Sequence, residues 1–193
     1  DEEGFINLNT LENAIKESTF LISIMFANNE IGTIEPIEEI SKIAKKHNIT
    51  FHTDAVQATG NIEIDVKKLG IGHKIYAPKG IGAIYIDKNI EINRFLDGGH
   101  QEKNKRAGTE NVAEIVGLGK ACEIAEKNLK TYKQKLTNLR EYFFNKIKEN
   151  FKDIKINGSL TKRLPGNCNI CFKNIDSNEL LFKLDEKGIC ASG

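Results

Sequence analysis

Three stretches of the chain hold residue types that could act together on one small molecule. His73-Lys74 stands in a loop with a second lysine, Lys79, and Pro78. A lysine amine whose pKa is lowered by cationic or partly dry surroundings condenses with a carbonyl to give a Schiff base. Asp54 and Gln57 follow one apolar run, and Asn28-Asn29-Glu30 follows another. Pyridoxal phosphate (PLP) needs a lysine for the Schiff base, a carboxylate facing its pyridine nitrogen, and donors for its phenolic oxygen and phosphate. Asp54, Gln57 and His73 can supply the last three, and the carboxylate keeps the ring nitrogen protonated so that the ring acts as an electron sink. Taken singly, each has an ordinary use: most loop lysines are merely solvated, and Asp after a strand is commonly a turn or cap residue.

The remaining reactive side chains read differently. His52 lies one strand face away from Thr53, which suits packing or a hydrogen bond. His47, at a helix end, is placed as a favourable cation at the dipole terminus. His100 sits in the glycine-containing loop Gly98-Gly99-His100-Gln101-Glu102. Lys79-Gly80-Ile81-Gly82 lacks the spacing and the Lys-Ser or Lys-Thr ending of a nucleotide-phosphate loop. Cys168-x-x-Cys171 invites a zinc or redox reading. On an extended segment, however, positions i and i+3 face opposite sides, and no second pair completes a tetrahedral site, so packing and no metal are expected.

These residues need a frame. Asn9 can cap a short helix with Glu12 at the capping-box position and Leu11, Ala14 and Ile15 on one face. Phe20 to Phe26 is apolar without alternation, as in a strand covered on both faces of a parallel sheet. Pro36 starts a second helix with Ile37, Ile40, Ile43 and Ala44 inward and Asn48 at its end. Ile49 to Thr53 gives another strand, and Ile81 to Ile86 a third. This rhythm predicts a doubly wound α/β domain, in which ligands bind beyond the carboxyl ends of the strands. From Asn111 to about Asn150 the apolar positions keep helical spacing, which gives one long helix or two nearly continuous ones. Strands near Ile154 to Ile156 and Asn169 to Phe172, then a helix opened by Asp176 or Ser177 and closed by Gly188, begin a smaller α+β domain. The division falls at 1–115 and 116–193.

With 28 Lys+Arg against 27 Asp+Glu, the net charge of +1 gives no field to draw the chain onto nucleic acid or a membrane surface. No apolar run reaches the roughly 20 residues that span a bilayer, and Asp1-Glu2-Glu3 lacks a signal peptide's basic flank. Four cysteines among 193 residues are too few for a disulfide scaffold and suit a reducing compartment, so a cytoplasmic protein is expected.

Four segments carry a resemblance: Ala27-Asn28-Asn29-Glu30-Ile31-Gly32-Thr33, His52-Thr53-Asp54-Ala55-Val56-Gln57, Gly72-His73-Lys74-Ile75-Tyr76-Ala77-Pro78-Lys79-Gly80 and Arg106-Ala107-Gly108-Thr109-Glu110-Asn111. Together, and in this order, they resemble the NifS/IscS-like cysteine desulfurases of the class V aminotransferase group, over essentially the whole chain. The resemblance implies part of a PLP fold type I large domain, a mainly parallel sheet with helices on both faces, followed by part of the small C-terminal domain. It implies that Lys74 forms the internal aldimine and that His73 belongs to the phosphate-binding segment. Asp54 would pair with the pyridine nitrogen and Gln57 with the phenolic oxygen. Asn29 would lie beside that oxygen and the substrate carboxylate, and Thr109 would reach the phosphate of the neighbouring subunit of a homodimer. The activity implied is removal of sulfur from L-cysteine, giving L-alanine and an enzyme persulfide for a sulfur-acceptor or scaffold protein in iron-sulfur cluster or thiolation pathways.

The sequence also departs from the family. Cys190 aligns with a variable position, and the nucleophilic cysteine would lie beyond Gly193. The chain covers about half the family's length, without the N-terminal portion and the substrate arginine, so as given it is expected to be inactive alone. Ile71 runs into Gly72 where relatives carry a strand ending in a phosphate-binding serine. Phe26 and Ala77 replace a usual histidine and glycine. Selenocysteine lyase or another class V PLP enzyme, and a degenerate homologue serving as a binding subunit, are the rival readings.

Overall fold

The computed structural model describes residues 1–65 and 78–193. Two parallel strands, β1 (Leu21–Met25) and β2 (Thr50–Asp54), pair in a register that sets Leu21 beside Thr50 and Met25 beside Asp54. Parallel neighbours need a crossover, and helix α2 (Ile37–Lys46) supplies it. Helix α1 (Leu8–Ala14) precedes β1.

Local chemistry sets the helix ends. The expected cap at Asn9 is instead Asn7, whose side-chain oxygen accepts the Thr10 N–H at 2.9 Å. Asn7 has the extended dihedrals that an N-cap requires, whereas Asn9 already lies in the first turn. Pro36 caps α2 as expected. That helix ends in a Schellman turn: Asn48 takes φ 54°, its N–H donates to Lys45 O at 3.1 Å, and Ile49 N–H donates to Ala44 O at 2.9 Å. His47, placed at the dipole end, has a specific partner there, since its Nε2 lies 2.9 Å from Glu12 Oε1 of α1. Lys46 reaches the same carboxylate, and these two bonds hold Glu12 below the usual carboxylate range.

Alternation along the strands gives the sheet two unlike faces. Ile22 and Ile24 of β1 and Phe51 of β2 join Ile37, Ile40 and Ala44 of α2 in the core, with Leu8, Leu11 and Ile15 closing its rim. The opposite side, which carries Leu21, Ser23, Thr50 and His52, is exposed. Burial on both faces was expected from the unbroken apolar run; among the described residues the core forms on one face only.

The expected strand over 81–86 is not formed, and Ile84 and Tyr85 are 69% and 41% exposed. A strand persists only where a neighbouring edge takes up its backbone groups, and the described parallel sheet consists of β1 and β2 alone. Residues 101–104 make a single turn in which Glu102, Lys103 and Asn104 are left-handed, with φ of 47°, 56° and 66°.

Helix α3 (Val112–Asn150) runs unbroken for 39 residues and buries Arg140 and Phe144. Strands β3 (Ile154–Ile156) and β4 (Ile170–Phe172) form an antiparallel pair, followed by helix α4 (Ser177–Asp185). Asp176 caps α4 by accepting from Asn178 and Glu179 N–H, both at 3.0 Å. Gly188, at φ 74°, closes it, as the sequence led us to expect. The loop between β3 and β4 returns to the first layer, where Thr33 pairs with Arg163 and Ile34 N–H donates to Lys162 O at 2.9 Å. Among the described residues no helix is long and apolar enough to cross a membrane.

Candidate active site

Because β1 and β2 run parallel, the chain leaves both at the same end of the sheet, and three of the expected site residues follow that end. Asp54 closes β2, half-buried, with Oδ1 accepting the Val56 N–H at 2.8 Å. Its carbonyl accepts Phe26 N–H at 2.7 Å, which ties it to the end of β1. Oδ1 of Asp54 is thus anchored, while Oδ2 has no hydrogen bond among the described residues. The turn use expected of Asp54 is present in the structure.

Gln57 lies half-buried in the turn after β2, where Ala58 N–H donates to Ala55 O at 3.0 Å. Its carbonyl accepts from the Asn61 amide at 2.9 Å, and its side chain has no partner among the described residues. Asn29 sits at the exposed tip of the 28–33 turn after β1. Asn28 builds that turn, its Oδ1 accepting Glu30 N–H at 2.9 Å and Ile31 N–H at 3.0 Å. The Asn29 side chain is likewise unpartnered among the described residues.

Lys74 and His73 lie outside the described residues, as does the Ile71-Gly72 junction. Lys79, the second lysine of that loop, is exposed in a turn. Thr109 is exposed on the loop before α3, where its carbonyl accepts from Arg106 Nη1 at 3.1 Å, and no described hydrogen bond joins it to the β1–β2 end. His52 makes a cross-strand hydrogen bond, its Nδ1 lying 2.8 Å from Ser23 Oγ, in keeping with the structural use expected of it. His100 Nδ1 lies 2.6 Å from Asn104 Oδ1 within its own loop. The four cysteines are free and exposed, so Cys168 and Cys171 are surface residues rather than the packed ones expected. Although Cys168 is exposed as a residue, partial burial of its thiol pushes it up, against the pull of the Arg163 and Arg140 guanidinium groups. A thiol raised in this way stays protonated and unreactive.

Sequence reasoning missed Arg163, Asn167 and Asn169, which reach across from the β3–β4 loop to the turn that carries Asn29. An arginine and two asparagines in a loop look solvated; only tertiary packing buries Arg163, to 4% exposure.

The aminotransferase class-V family model matches residues 1–193. The chain belongs to that family. It is 48% identical to the cysteine desulfurase IscS of Dictyoglomus turgidum, over 98% of this chain and 50% of that protein. With the IscS of Methanosarcina thermophila it shares 50% identity, over 100% of this chain and 49% of the relative. Among solved structures, the NifS-like protein from Rickettsia africae superposes with a TM-score of 0.91 at 35% identity, over 100% of this chain and 56% of that one. A second NifS-like protein gives the same TM-score of 0.91 at 37% identity, over 100% and 54% of the two chains. The chain thus spans about half the length of the curated relatives it matches. The α/β, PLP fold type I class expected from the sequence is the fold of these neighbours, and PLP is the family's cofactor.

The residues present fit that cofactor. A half-buried carboxylate with one oxygen fixed by a backbone N–H and the other without a hydrogen bond among the described residues suits a ring N–H, and two side-chain amides unpartnered among those residues follow the same end of the sheet.

Proposed function

We propose that the protein is a PLP-dependent cysteine desulfurase, which moves the sulfur of L-cysteine onto an enzyme thiol as a persulfide and leaves L-alanine. The observation that carries this reading is the state of Asp54 at the carboxyl end of β2, with Oδ1 tied to Val56 N–H at 2.8 Å and Oδ2 without a hydrogen bond among the described residues. Membership of a family whose relatives include proteins named cysteine desulfurase supplies the substrate class.

In this reading each residue has one task. Asp54 holds a proton on the ring nitrogen, and Gln57 donates its amide N–H to the phenolic oxygen. Asn29 donates to that oxygen and to the substrate carboxylate. Lys74 binds the cofactor through its amine, His73 helps hold the phosphate, and Thr109 reaches the phosphate in the neighbouring subunit of a homodimer. When bound, the cofactor supplies an electron sink for bonds broken at the substrate. The sulfur acceptor is a partner or scaffold protein of iron-sulfur cluster or thiolation chemistry. Free cysteines suit a cytoplasmic setting. Residues 1–115 would serve the cofactor-binding domain and 116–193 the linking helix and smaller domain.

The test is reconstitution of the full-length protein with PLP, followed by its visible absorbance band. Lys74→Ala abolishes the band and Lys79→Ala retains it; the reverse pattern overturns the assignment. Release of sulfide from L-cysteine then separates a desulfurase from other class V enzymes.

A further inference from the structure

The turn bearing Asn29 is fixed from outside. Its internal bonds, in which Asn28 Oδ1 accepts the N–H groups of Glu30 and Ile31 and Asn28 N–H donates to Thr33 O at 2.9 Å, leave three successive carbonyls to find partners elsewhere. All three find them in the β3–β4 loop. Glu30 O accepts from Asn167 Nδ2 at 2.8 Å and from Asn169 Nδ2 at 3.3 Å. Ile31 O accepts from Arg163 Nη2 at 2.5 Å, and Gly32 O from Leu164 N–H at 2.9 Å.

The donors are themselves held. Arg163 is 4% exposed, its guanidinium lies 5.5 Å from the centroid of the Phe144 ring, and Nη2 also donates to Asn157 O. Asn169 Oδ1 accepts from Asn157 Nδ2 at 2.8 Å. Contact is close as well: a Cβ at Gly32, which has φ +76°, would come 2.5 Å from Asn167 Cγ.

We propose that Asn167, Asn169 and Arg163 are positioning residues that hold the Asn29 turn in its ligand-binding conformation, so that the β3–β4 loop governs affinity for the amino-acid substrate and the cofactor; this rests on the reading of Asn29 given above. Asn29 is at the exposed tip and its side chain has no partner of its own among the described residues, so its placement follows that of the adjoining Glu30 peptide. Unanchored loop tips move, and a binding group that moves makes a poorer hydrogen bond to its ligand.

The experiment is a double-mutant cycle in the full-length protein, with melting temperature recorded for every variant. Asn167→Ala raises KM for L-cysteine roughly three- to tenfold with kcat little changed, the size expected for one lost hydrogen bond that acts through binding. The same variant weakens PLP binding to the apo-protein, read by titration of the visible band, by a similar factor. Asn167→Asp, isosteric but without the N–H donor, reproduces both effects. In an Asn29→Ala background Asn167→Ala adds nothing further, because it acts through Asn29. Asn169→Ala, which removes a bond to the same carbonyl, takes its place if Asn167→Ala does not fold. An Asn167 effect that is absent, or that adds in full to that of Asn29→Ala, overturns the proposal. Asn29→Ala leaving both KM and PLP affinity unchanged overturns the assignment of Asn29 itself, a distinct outcome.

Discussion

Burial pushes the Glu35 carboxyl up, and the Ile6 N–H, which donates to Oε2 at 3.0 Å, draws it back only in part. A carboxyl raised in the fold favours folding fully below its ordinary value of 4.5, and that contribution is lost as pH rises through the higher folded value. Glu35→Gln keeps an oxygen for Ile6 N–H and never ionises. The denaturation midpoint of the wild type should therefore fall relative to that of Glu35→Gln between about pH 4 and pH 7. Midpoints that stay parallel across that range would remove the titration from the stability of this junction. Legibility at this scale followed how local each role is. That Asp54, Gln57 and Asn29 lie at the carboxyl ends of strands was readable because they directly follow apolar runs. Arg163 was not, since nothing near it in sequence announces that Phe144 and the Ile31 carbonyl enclose it.

Elements are legible where their ends are written locally. Asp176 marks a helix terminus by its side-chain cap and Pro36, Asn48 and Gly188 by their own backbone preference, and the structure places them there. Asn48 offers a clean measurement, because its φ of 54° is the left-handed conformation that Asn and Gly tolerate and β-branched residues resist. Asn48→Gly should leave stability within a few tenths of a kcal/mol, while Asn48→Val should cost about 1–2 kcal/mol by denaturant unfolding. Equal losses in the two variants would mean that the Asn48 side chain, not its backbone, closes α2. The segment over 81–86 failed as an expectation for the complementary reason. A strand is completed by its neighbour, and periodicity within one segment cannot report whether an edge is available. The open side of β1 is a similar case: an unbroken apolar run tells how a strand could be covered, while α1 and α2 both pack on the Ile22 face.

At the scale of the whole molecule, surface area is the telling quantity. The chain exposes 14259 Å², whereas a compact monomer of 21.6 kDa exposes roughly 9,200 Å². Large apolar side chains are among those exposed: Phe20 and Leu21 lie beside the open sheet face, and Val116, Tyr132 and Leu139 stand exposed along α3. Patches of more than a few hundred Å² seldom stay bare in water, and they bind other apolar surfaces when they do. The chain spans about half the length of its curated relatives, so a protein of their full length has material with which to cover these faces. The expected outcome is that residues 1–193 alone bind an apolar fluorescent dye and sediment as a concentration-dependent mixture, whereas the full-length protein binds little dye and sediments as one species. The same covering would exclude water from Asp54 and from the carboxyl ends of β1 and β2, so PLP should bind the full-length protein more tightly than residues 1–193. A 193-residue chain that sediments as a single monomer, ignores the dye and binds PLP as tightly as the full-length protein would show that its exposed faces need no cover and that the site is complete without one.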